Sequence, residues 1–370
     1  MNLHKNIIPI RNNLFANKVT AIALPKTLSV LFKLIHIFFL LDLGVYEYKT
    51  FKIKCIVKFL TISGSLTISV VCFSFMVSNL SEHTFVGWYG FFISTYIFVV
   101  LFFNLSNRMT FVEFYKTLLR FDANYGIDSN EYKFNFKIIF VNILFIANRM
   151  VLSFVYCSYY PQNCIRPRYA QILFMLPWLT LDVLLTTNMF LFYATYCRIA
   201  KFPMLIKNSM NIVALRNSYK LIVDSLEKTQ TSFDIVFIIA LVFSVPEIMM
   251  SIYSTLLEVI SKHFLEVASI LSLNYVAIAQ SLLLTLAPSL CAGVLPWKTN
   301  NIKIILHEKL FTEKDKASAR EIELFIKYIE SRPLKLRACN LVPLDFSLTI
   351  IVLNICVTYL IVIIQFTHLY

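Results

Sequence analysis

The 370-residue sequence has little glycine, six residues in all, and little charge: Asp, Glu, Lys and Arg make up 15%, against roughly 25% in soluble proteins. It shows no internal repeat. Both features speak against a secondary transporter, whose helices are commonly repeated and interrupted by glycine near the bilayer midplane. Catalytic signatures are missing as well. There is no HExxH, no GxSxG, no P-loop and no carboxylate pair with its own site signals. The six histidines are scattered without ligand spacing, so no metal and no cofactor is expected, and the chain does not read as an enzyme. The eight cysteines include no CxxC pair, and most lie in apolar stretches where a thiol acts as a small hydrophobe. Cys157 and Cys164 are the exception; they flank a polar loop and form a candidate disulfide. The first 23 residues are mixed polar and basic, so no cleaved leader is expected.

What the sequence does have is apolar length. Hydrophobic residues reach 58%, with 34 Phe and 19 Tyr, the composition of a polytopic membrane protein. About 20 apolar residues cross a bilayer. Seven stretches qualify, near 56–78, 85–105, 138–157, 170–196, 233–257, 266–291 and 345–366. An eighth, 28–45, is interrupted by Lys33, His36 and Asp42. With seven spans, 30 of the 34 Lys and Arg fall on one side and three on the other, leaving Arg149 inside a span. The excess of basic residues marks the cytoplasmic side. A crossing at 28–45 would split nine N-terminal charges, so that stretch reads as a cytoplasmic or membrane-lying helix. The N-terminus is expected inside and the C-terminus outside. A receptor coupled to G proteins has the opposite orientation, and its DRY-type and NPxxY-type motifs are missing here. The net charge of +13 thus belongs to topology, and no nucleic-acid partner is expected.

The outer loops are short, which leaves no room for an extracellular binding domain. In "KASAREIELFIKYIESR" the residues Ile322, Phe325, Ile326 and Ile329 share one helical face. That face either packs on neighbouring cytoplasmic helices or lies at the headgroup surface. Asn79-Leu80-Ser81 is a glycosylation sequon on the expected outer side; Asn104-Leu105-Ser106 falls inside and should be unused. Arg149, Asp182 and Glu247 are charges within spans and so candidates for function. Arg149 and Asp182 lie at matching depth and could pair.

The last span carries isolated polar residues. On a helical wheel starting at Ser347, Asn354 falls at about −20°, Thr358 at about +20° and Gln365 at about 0°. An amide in hydrocarbon needs a partner or a task. Such a stripe either bonds to neighbouring helices or lines water in a pore closed by several copies.

"TYLIVIIQF", Thr358 to Phe366, resembles the TYhhhhhQF signature of the insect gustatory receptors, with Thr358, Tyr359, Gln365 and Phe366 at matching spacing. "PLKLRACNLVPLDFSL" is similar to that family's approach to its last helix. "LDLGVYEYK" is similar to its GLFPY region, although Val45 and Tyr46 depart from the pattern and the proline is absent. The resemblance covers the chain by architecture, but its specific motifs occupy about the final 35 residues.

The resemblance implies an all-α, seven-helix, ligand-gated, non-selective cation channel related to the insect odorant receptors. Four subunits, alike or different, would surround one pore. The pore lining would be Ser347, Asn354, Thr358, Ile361, Gln365 and Phe366, with the last two at the constriction. The chain would divide into 1–55, a cytoplasmic segment with a membrane-lying helix; 56–291, six helices forming the ligand bundle; 292–344, a cytoplasmic helical anchor holding the tetramer; and 345–370, the pore helix and tail. Ile322 to Ile329 would belong to that shared anchor.

The ligand, a small-molecule tastant, would be met in the outer halves of the second to sixth spans. Candidate walls in the earlier spans are Trp88, Tyr89, Phe92, Tyr96 and Tyr156. Later spans offer Phe174, Trp178, Asp182, Tyr253, Asn274 and Tyr275. Aromatic walls with few polar groups suit medium-sized, partly apolar molecules. The chain looks more like bitter-type receptors, especially those of moths and butterflies, than sugar-sensing ones. Its expected place is the plasma membrane of gustatory neurons, with lipid and permeant cations as further partners. A subunit that conducts only with a partner chain, a sugar-responsive member and a transporter are the alternatives.

Overall fold

The computed structural model describes residues 25–44, 51–78, 99, 103–104, 110–127, 134–159, 168–208, 211–261 and 264–368. The described residues are almost entirely helical, as expected of a chain that must satisfy its backbone within lipid. The helices are α1 (Lys26–Phe39), α2 (Phe51–Ser78), α3 (Phe111–Asn124), α4 (Phe134–Tyr159), α5 (Arg168–Ile199), α6 (Phe202–Lys207), α7 (Ile212–Ser261), α8 (Phe264–Thr312), α9 (Lys316–Ser331) and α10 (Phe346–His368). One hairpin, β1 (Arg337–Ala338) and β2 (Val342–Pro343), lies between α9 and α10. The protein is an all-α polytopic membrane protein.

Among the described residues four segments are long and apolar enough to cross a membrane: Phe136–Val155, Trp178–Lys207, Ile212–Tyr253 and Asn274–Thr312. Two shorter apolar segments are Cys55–Val71 and Phe346–Val362. Six of the seven expected spans thus fall on α2, α4, α5, α7, α8 and α10. The seventh, 85–105, lies outside the described residues except for Val99, Phe103 and Asn104.

Two helices run far beyond the spans expected within them. α7 has 50 residues and α8 has 49, about 75 Å each at 1.5 Å per residue. The segments 197–232 and 292–312, read from the sequence as inner and partly helical, are mostly continuations of these helices. The boundary expected at 291/292 falls inside α8. Pro246 in α7 and Pro288 and Pro296 in α8 are held within the helices.

Helix starts follow local chemistry. Thr110 opens α3 with a capping box: its hydroxyl accepts the Glu113 amide at 3.2 Å, and Glu113 accepts the Thr110 amide at 3.0 Å. Asp315 caps α9 by accepting the amides of Ala317 and Ser318. The segment after α1 turns back through Leu40 in the left-handed region and is then buried, Leu41 to Leu43. Asn104 clamps it, donating to the Leu40 carbonyl and accepting the Asp42 amide, both at 3.0 Å. Gly44 follows at φ 85°, where any Cβ would collide with Thr110. Asn104 is 1% exposed and its amide nitrogen is already committed, so the sequon there has no free acceptor.

α1 buries Leu28, Phe32, Ile35 and Phe39 against the bundle and exposes Val30, Ile37 and Phe38 on its other side. Being apolar on both faces suits a helix lying along a membrane.

At the basic end the core is aromatic. Phe121 of α3 stacks on Phe202 of α6, Phe202 meets Tyr219 of α7 edge-on, and Tyr219 meets Phe325 of α9. Ile322, Phe325, Ile326 and Ile329 are all buried within the chain. Of the two packings expected for this face, neighbouring helices or the headgroup surface, the first is the one observed: α7 and α8 cover it. Arg332, just past α9, ties back to Asp224 and Glu227 of α7.

Candidate functional site

Two polar constellations lie within the apolar spans. The first joins α4, α5 and α8. Arg149 of α4 makes a two-pronged pair with Asp182 of α5, Nε to Oδ2 at 2.8 Å and Nη2 to Oδ1 at 2.9 Å. Trp178 lies one turn before Asp182, a spacing that puts both on one face of α5. The Arg149 guanidinium stands over its ring at 5.2 Å. Gln280 of α8 closes the cluster: its amide nitrogen donates to Asp182 Oδ2 and to the Phe145 carbonyl, each at 3.2 Å, and its oxygen accepts from Asn148. Asp182 and Gln280 are buried. Each member is costly alone in hydrocarbon, and together they neutralise and satisfy one another. The result is a polar clamp across three spans.

Of the expected pocket residues, Trp178 and Asp182 meet in this clamp. Tyr253 and Asn274 are half-buried, and Tyr275 is exposed. Asn274 and Tyr275 lie about 120° and 140° around α8 from Gln280, so they do not share its face. Tyr156 and Phe174 lie on α4 and α5 but their side chains fall outside the described set, as does that of Glu247. Trp88, Tyr89, Phe92 and Tyr96 lie outside the described residues altogether. Cys157 is disulfide-bonded; its expected partner Cys164 lies outside the described residues. Sequence reading missed Gln280 and Asn148. The signal that marked Gln365, an isolated amide in an apolar run, also marks Gln280 in "AIAQSLLL".

The second constellation is α10. This helix buries Leu348, Val352 and Cys356, one stripe at four-residue spacing, against α7 and α8. Thr349 beside that stripe meets Ser289 of α8, hydroxyl to hydroxyl, at 3.3 Å. The buried stripe is centred about 140° around the wheel from Ser347. Asn354, Thr358, Ile361 and Gln365 therefore turn away from the chain's own bundle, and all four are exposed. Ser347 is exposed too, with its hydroxyl turned back to Asp345, which also accepts the Ser347 amide at 2.9 Å. Tyr359 is 56% exposed. The side chain of Phe366 is outside the described set. Among the described residues Asn354, Thr358 and Gln365 make no hydrogen bond to another helix of the chain.

A third pair lies at the basic end. Arg198 of α5 and Asp122 of α3 face each other at 2.5 and 3.2 Å with both side chains almost fully buried. Burial pushes the Asp122 carboxyl above the ordinary carboxylate range despite the adjacent guanidinium. Burial likewise pushes the neighbouring Tyr115 up to about 12. Nothing in this pair opens to a ligand; it fixes α3 to α5. Among the described residues no group of His, Cys, Asp and Glu could hold a metal ion.

Compared with known proteins, residues 32–369 match the family described as 7tm Chemosensory receptor. A search of curated proteins finds no match.

Proposed function

Because the chain belongs to the 7tm chemosensory receptor family, we propose that it is a gustatory receptor that opens a non-selective cation pathway on binding a small tastant. The observation that carries this reading is the orientation of α10. Its apolar stripe, Leu348, Val352 and Cys356, is spent on its own bundle, while Asn354, Thr358 and Gln365 face outward. Amides facing lipid would be unsatisfied. Water in a pore between copies of the chain satisfies them, and a ring of four is the arrangement that the family resemblance supplies.

An amide ring offers oxygens and N–H groups but no fixed charge, so discrimination among monovalent cations is weak. The ligand sits at the outer side of the Arg149–Asp182–Gln280 clamp, where Trp178 supplies an aromatic wall. Partly apolar, bitter-type plant compounds fit such a wall. The receptor works at the plasma membrane of gustatory neurons, as a tetramer of this chain or with other receptor subunits.

The test is heterologous expression with patch clamp. Ligand-evoked cation current from this chain alone supports the channel reading. Current that arises only with a second receptor chain assigns it the role of a subunit. No current with any partner, from a chain present at the surface, removes the channel reading.

A further inference from the structure

At the basic end of the spans two lysines sit on the tyrosines of one helix. Lys137 of α4 donates to the Tyr193 hydroxyl at 2.8 Å, with its ammonium 5.2 Å from the ring centre. Lys298 of α8 stands 5.5 Å from the ring of Tyr196 and 4.6 Å from that of Trp297. Tyr193 and Tyr196 are three residues apart on α5, neighbours on one face. The two cations therefore reach one patch from two different helices. Among the described residues neither lysine forms an ion pair with a carboxylate.

The surroundings are those of a membrane boundary. Phe136 and Phe140, next to Lys137 on α4, stack on each other while remaining 69% and 52% exposed. Trp297 is 64% exposed. Exposed aromatic rings with lysines between them mark the headgroup level. Lys137 stands at the start of its span and Tyr196 at the end of its own. A side chain on α8 leans toward the helix N-terminus, so Lys298 leans toward the bilayer.

We infer that Lys137, Lys298 and the Tyr193–Tyr196 face of α5 form a site for the phosphate-bearing headgroup of an anionic inner-leaflet phospholipid. The lysines supply positive charge that no carboxylate among the described residues pairs with. The Tyr193 hydroxyl holds the Lys137 ammonium in place, and Phe136, Phe140 and Trp297 border the acyl chains. Basic pockets between spans on the inner side are the general form of such sites. The inference rests on the basic side being the inner side, and its readout does not depend on whether the chain conducts.

The experiment is native mass spectrometry of the full chain in detergent, titrated with short-chain phosphatidylinositol 4-phosphate and, separately, phosphatidylcholine. At least tenfold stronger adducts with the anionic lipid are expected. Lys137→Gln with Lys298→Gln should bring the anionic adduct down to the phosphatidylcholine level. Lys137→Arg with Lys298→Arg should retain it. Lys327→Gln, which removes one exposed charge from α9, should leave it unchanged. Equal adducts in the parent and the double Gln variant overturn the site. Loss in Lys327→Gln to the same degree also overturns it, because net charge alone would then account for binding. Inorganic phosphate displacing the lipid at equal concentration would make this a free-anion site and overturn the lipid assignment.

Discussion

The basic end of the bundle and the last helix treat their polar groups in opposite ways. At the basic end, Asp122 and Arg198 are sealed inside one chain, and the apolar face of α9 is covered by that chain's own helices. On α10, Asn354, Thr358 and Gln365 stand outside, and the buried side chains among the described residues form one narrow stripe. The first region closes on itself within one chain; in the second, the polar groups are turned away from the chain's own bundle. Stability and permeation should therefore map to different residues of this chain.

The largest effect that would sharpen this contrast is at α9. Phe325→Asp with Ile326→Asp forces two unpaired charges into the core, each costing several kcal/mol, against a net stability of about 5–15 kcal/mol. The expected outcome is loss of folded monomer on fluorescence-detected sizing. A folded monomer that merely fails to assemble would instead restore this face to a subunit interface.

Next is Asp122→Asn, which takes the carboxylate away from the buried Arg198 guanidinium and should cost about 3–5 kcal/mol. The melting temperature of the purified chain measures it. Arg198→Met added to that variant should recover part of the loss; if it deepens the loss, the pair is not self-contained.

The clamp in the spans should respond less. In a double-mutant cycle, Arg149→Met and Asp182→Asn should couple by about 0.5–3 kcal/mol, and each should alter tastant concentration dependence. Strict additivity would break the link between α4 and α5 drawn above.

The smallest effect on stability belongs to α10. Gln365→Leu and Asn354→Leu should change the melting temperature by no more than about 0.5 kcal/mol would, yet alter current. Gln365→Glu should raise divalent block and shift the reversal potential toward cations. Unchanged block and reversal potential in a well-expressed Gln365→Glu channel would take Gln365 off the ion path. Cys356, buried on the opposite face, should show the reverse: enlargement there disturbs packing rather than permeation.

Apolar length and the one-sided lysines made the helical membrane architecture legible in the sequence, because a bilayer imposes both on local composition. The Gln365 stripe was legible because a polar residue contrasts with an otherwise aliphatic helix. Its partner face was not, since Leu348, Val352 and Cys356 look no different from the Ile and Val residues that stay exposed. The burial of Ile322 to Ile329 was half legible. Periodicity gave the face but could not say whether the chain itself or another copy would cover it. Gln280 was readable by the rule that found Gln365. Its contacts with Asn148 and Asp182 join residues about 100 or more apart in sequence, and no local pattern encodes them. The same holds for Asp122 and Arg198, two ordinary loop charges until α3 is laid against α5.

α8 carries Gly293 where α10 begins. A methyl group at that position would lie 3.1 Å from the backbone nitrogen and ring of Phe346, so the two helices touch there without a cushion of side chain. Mechanically this is a fulcrum. Gln365 stands 19 residues further along, about 28 Å up a stiff rod. A tilt of about 5° at the contact carries it about 2.5 Å sideways, of the order of the width of a water molecule.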